Sequence, residues 1–100
     1  MAFSETQIML ILYSVSNALT LAHMGNIFHC NMKPSSIFIN KEGKVKLGGD
    51  FGVSADDEFW DFGEIAPAFY ASPEMMYRQK INGKTDIWSL GIILYELCTL

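Results

Sequence analysis

The side chains best able to do chemistry fall in one run, His29 to Ile39, with the sequence HCNMKPSSIFI. It gathers an imidazole, a thiol, an amide, an ammonium and hydroxyls in a stretch whose length suits a loop. The amide of Asn31 can hydrogen-bond a hydroxyl but cannot usefully take its proton. The hydroxyl of Ser36 can ligate magnesium. Further along, Asp50 supplies a carboxylate at the head of an Asp50-Phe51-Gly52 triplet. Plainer roles stand beside these: Asn31 as a residue that satisfies backbone groups in a tight loop, and Lys33 as a solvated surface cation.

The flanking sequence supplies elements to hold this loop. Ser4 to Gln7 reads S-x-x-Q, a capping-box start for a helix. Ile8, Ile11, Leu12, Val15, Leu19 and Ala22 then fall at helical spacing and make one apolar stripe, which Gly25 and Asn26 terminate. Ile27 and Phe28 lead into the loop. Ile37 to Asn40 reads as a short strand, Lys41-Glu42-Gly43-Lys44 as a hairpin turn, and Val45 to Leu47 as the returning strand. Residues 53–66 lack a clean period, carry Asp56, Asp57, Glu58, Asp61 and Glu64 among Phe59, Trp60 and Phe62, and read as a loop that docks in part on the core. Ala71-Ser72-Pro73-Glu74 opens a short helix with proline tolerated near its start. Asn82-Gly83 marks a turn, after which Thr85 or Asp86 caps a last helix that is apolar on nearly every face and so belongs inside a larger fold.

The bulk properties narrow the function classes. One hundred residues make one domain at most, with a modest core. Half the residues are hydrophobic and the net charge is −4, and no basic patch supports nucleic-acid binding. Cys30 and Cys98 show no metal or redox spacing, which points to reduced thiols and a cytoplasmic setting. The N-terminus has no signal-peptide pattern. The apolar run from Ile87 to Leu100 is short for a bilayer and carries Glu96, so no membrane role is expected. Its end at Leu100 has no cap, as in a truncated helix.

The run HCNMKPSSIFI resembles the catalytic loop of eukaryotic protein kinases, whose pattern is H-R-D-L-K-P-x-N-I-x-L. His29, Lys33, Pro34 and Ile37 match it, whereas Cys30, Asn31 and Ser36 stand where the family keeps Arg, the catalytic Asp and a metal-binding Asn. The order of elements is similar too: helix, catalytic loop, hairpin, Asp50-Phe51-Gly52, activation segment, Ser72-Pro73-Glu74, and Asp86-Ile87-Trp88-Ser89-Leu90-Gly91 opening a buried helix. Four motifs in the right order are far more specific than any one. The KPSSIFI and KVKLG phrasing is similar to the NIMA-related branch.

The resemblance implies a role for each residue. Asn31 occupies the position of the aspartate that orients and deprotonates the acceptor hydroxyl. General-base assistance is worth roughly 10²–10⁴ in rate, so this exchange implies little activity. Lys33 would face the transferred phosphate. Ser36 and Asp50 would contribute to ATP and magnesium binding, with the shorter Ser36 poorly placed for the family geometry. Asn31 to Asp50 is about one residue longer than the family separation. Either Gly48-Gly49 bulges and restores Asp50 to the metal position, or Gly49 occupies that position. Cys30 replaces an arginine that pairs with a phosphorylated activation segment, and Pro67 replaces a threonine that contacts the catalytic Asp. His29, Phe51, Gly52, Glu74, Asp86 and Trp88 keep structural roles: Asp86 would bind the loop backbone and seat His29, Trp88 and Leu90 would pack in the core, and Glu74 would lack its usual arginine.

The expected fold is mainly α with a small β-hairpin: a partial kinase large lobe spanning residues 1–100, without the nucleotide lobe or last helices. The expected function is that of a catalytically impaired pseudokinase that binds or scaffolds protein partners. Alternatives are part of an ATP-dependent Ser/Thr kinase with residual activity, carried by Lys33 and Asp50-Phe51-Gly52, and a truncated product without stable function.

Overall fold

The first helix, α1 (Glu5–Met24), begins where Ser4 satisfies otherwise unpaired N–H groups. The Ser4 hydroxyl accepts from the Gln7 amide at 3.1 Å, and Gln7 Oε1 accepts from the Ser4 amide at 2.8 Å, closing the expected capping box. At the other end Gly25 and Asn26 donate to the carbonyls of Ala22 and His23. The left-handed residue at this stop is Asn26 (φ 59°) rather than Gly25. The computed structural model describes residues 3–30, 32–48, 53–54, 69–77 and 79–99.

Ile8, Ile11, Val15 and Leu19 form the buried stripe of α1. Three of them, Ile11, Val15 and Leu19, pack with Met32, Leu90 and Ile93 into the main core cluster. The length and apolar composition of α1 would also serve to cross a bilayer; its buried stripe packs against the last helix.

Two small antiparallel ladders flank the loop. In the expected hairpin, β2 (Ile37–Ile39) pairs with β3 (Val45–Leu47), with Phe38 opposite Lys46. Asn40 organises the turn: its Oδ1 accepts from the amides of Glu42 and Lys44 at 3.0 and 2.8 Å. Gly43 adopts φ 82°, which only glycine takes without strain. The other ladder, β1 (Ile27–Phe28) with β4 (Val53–Ser54), pairs residues expected only to lead into a loop or to lie within one. The rest of the expected loop, residues 55–66, lies outside the described residues.

Ser72 caps α2 (Pro73–Met76), its hydroxyl accepting from the Met75 amide. The last helix, α3 (Gly83–Thr99), starts earlier than expected. Asn82 supplies its cap, with Oδ1 accepting from Lys84 N at 2.8 Å while Thr85 Oγ1 accepts from Asn82 N at 3.2 Å. Thr85 and Asp86 are thereby inside the first turn, their side chains turned to the interior.

The buried face of α3 is Thr85, Asp86, Ser89, Leu90 and Ile93. Leu90 packs in the core as expected, but Trp88 is 48% exposed, as is Ile87. Burial on this helix follows the polar residues that need partners: Ser89 donates to the Tyr70 carbonyl at 2.7 Å, and Asp86 is wholly enclosed. Trp88 lies two residues from Asp86, about 200° around the helix, and so faces outward. A second cluster, Phe28, Cys30, Ala71, Met75 and Ile81, ties the loop to α2.

Candidate catalytic loop and its clamp

Asp86 is the centre of the site. Its carboxylate, with no solvent exposure, accepts the His29 amide on Oδ2 and the Cys30 amide on Oδ1, each at 2.9 Å. His23, in the last turn of α1, directs Nε2 at the same Oδ2 from 2.9 Å. A carboxylate taken from water is costly unless donors replace its hydration, and these three supply them. The result joins α1, the loop and α3 at one group. The His23 ring also packs edge-on against Phe28, with centroids 5.5 Å apart.

His29 is fully buried, and its Nε2 lies 2.9 Å from the Gly48 carbonyl. A carbonyl only accepts, so this nitrogen carries the hydrogen. The Gly48 amide in turn donates to the Ser36 carbonyl at 2.7 Å, extending the β2–β3 register by one pair. Pairing is therefore regular through Gly48. Gly49, Asp50, Phe51 and Gly52 lie outside the described residues, and so do Asn31 and Pro67.

Lys33 is half-buried and precedes a single 3₁₀ turn, Pro34–Ser36, in which the Ser36 amide donates to the Lys33 carbonyl at 2.9 Å. Ser36 is 5% exposed. Among the described residues no group of three His, Cys, Asp or Glu side chains could hold a metal ion, and Ser36 alone of the expected magnesium set is described.

Cys30 sits in a left-handed backbone conformation, φ 60°, which is uncommon for a residue with a Cβ. Burial, reinforced by the neighbouring Asp86 carboxylate, pushes its thiol up to about 12. The Cys30 side chain thus belongs to the apolar cluster beneath the loop. Glu74, expected to lack its usual arginine, is instead met by Thr85, whose Oγ1 donates to its Oε2 at 3.0 Å.

The structure brings His29, Cys30, Ser36 and Asp86 together around the loop, places Glu74 against the start of α3, and leaves Trp88 at the surface. Sequence reasoning missed His23, and named Thr85 only as a helix cap. An imidazole in the last turn of α1, four residues beyond Leu19 and so at the edge of the apolar stripe, was the available signal for His23.

A family model described as the protein kinase domain matches residues 1–100. The chain belongs to the protein kinase family. Among its relatives is the serine/threonine-protein kinase Nek5 of Mus musculus, 42% identical over 98% of this chain and 16% of that protein. The serine/threonine-protein kinase Nek1 of the same organism is 39% identical over 98% of the chain and 8% of that protein. The G2-specific protein kinase nim-1 of Neurospora crassa is 45% identical over 72% of the chain and 8% of that protein. The expected likeness to the NIMA-related kinases is thus borne out. This protein kinase chain spans 16% or less of the length of these relatives.

Proposed function

We propose that these residues form the middle of a kinase large lobe, from the helix before the catalytic loop to the helix after the S-P-E turn. In this reading the protein kinase is catalytically impaired and serves as a binding or scaffold module for protein partners in the cytosol. One observation carries the proposal: Asn31, an amide, holds the family's base position in a loop whose preceding two amides are clamped by Asp86. The frame that would aim a base is kept while the group aimed is not one. ATP and magnesium, used by protein kinases generally, would meet Lys33, Ser36 and Asp50 here, and retention of Lys33 leaves phosphate contact open to the chain.

The test is phosphate incorporation by a kinase domain in which residues 1–100 replace the matching segment of mouse Nek5. Its rate should fall by roughly 10²–10⁴ against the unaltered domain, with cooperative unfolding retained. A rate equal to that of the unaltered domain would favour an active Ser/Thr kinase instead.

A further inference from the structure

We draw no further inference here: the strongest candidate, the apolar groove between the start of α1, the β2–β3 hairpin and α3 (Phe3, Ile11, Ile37, Ile39, Ile93 and Leu97), is an apolar face without a partner among the described residues, and nothing in the structure shows what covers it.

Discussion

His23 and Asp86, 63 residues apart in the chain, meet at 2.9 Å beneath the loop that begins at His29. The same carboxylate holds the amides of His29 and Cys30, so the loop's position depends on α1 and α3 together.

Asp86→Asn should therefore be the most damaging single polar exchange near the loop. It removes the charge from buried hydrogen bonds and turns an N–H₂ group toward at least one donor. Hydrogen bonds to charged groups contribute about 1.5–3 kcal/mol each, so a loss of about 3 kcal/mol is expected. Urea unfolding of the chain measures it. A change of under about 0.5 kcal/mol would show that Asp86 does not organise the loop.

His23→Ala should cost less, about 1 kcal/mol, because its side chain is 22% exposed and water replaces part of what is lost. In a double-mutant cycle with Asp86→Asn the two losses should couple. Simple additivity would contradict a shared contact.

The helix α3 offers a contrast between two large apolar residues. Leu90→Ala should destabilise by about 2–4 kcal/mol because it opens a cavity among α1 and Met32. Trp88→Ala should cost about 1 kcal/mol or less, its ring being half in solvent. Equal losses in urea midpoints would place Trp88 in the core.

Among the described residues, Cys30 and Tyr70 bind their protons more tightly in the folded chain. Cys30 is raised from 9.0 to about 12 by burial and then by Asp86, and Tyr70 from 10.0 to about 12 by desolvation and the adjacent Glu96 carboxylate. In each case the unfolded chain loses its proton first as pH rises. Stability is thus full below pH 9 and falls as pH rises from 9 through about 12. Urea midpoints at increasing alkaline pH should show this fall, with a shallower slope in Cys30→Ser. The native chain should also present one alkylatable thiol at neutral pH, Cys98, which is exposed, and two after unfolding. Rapid alkylation of Cys30 in the native chain would contradict its burial.

Much of the local structure was legible because it is written in neighbouring residues. The Ser4–Gln7 box, the α1 stripe and the Asn40–Lys44 turn each depend on contacts within a few positions. The β1–β4 ladder was not legible, since Ile27 and Phe28 gain partners only from residues more than twenty positions away, in strands too short to show a period. The outward turn of Trp88 escaped for a related reason: an almost uniformly apolar helix does not reveal which face is inward until Asp86 and Ser89 find their partners. The early start of α3 was obscured because Asn-Gly reads as a turn, while Asn82 can equally cap a helix. The family resemblance named Asp86 as the loop's anchor, yet His23 emerges only when α1 and α3, distant in sequence, are brought together.

The most direct measurement compares phosphate transfer by the Nek5 chimaera carrying residues 1–100 with the same protein bearing Asn31→Asp. A clamped frame lacking only its base should gain at least about 100-fold when the carboxylate is supplied, at unchanged urea midpoint. Equal rates, both near that of unaltered Nek5, would contradict the assignment of Asn31 as the missing base.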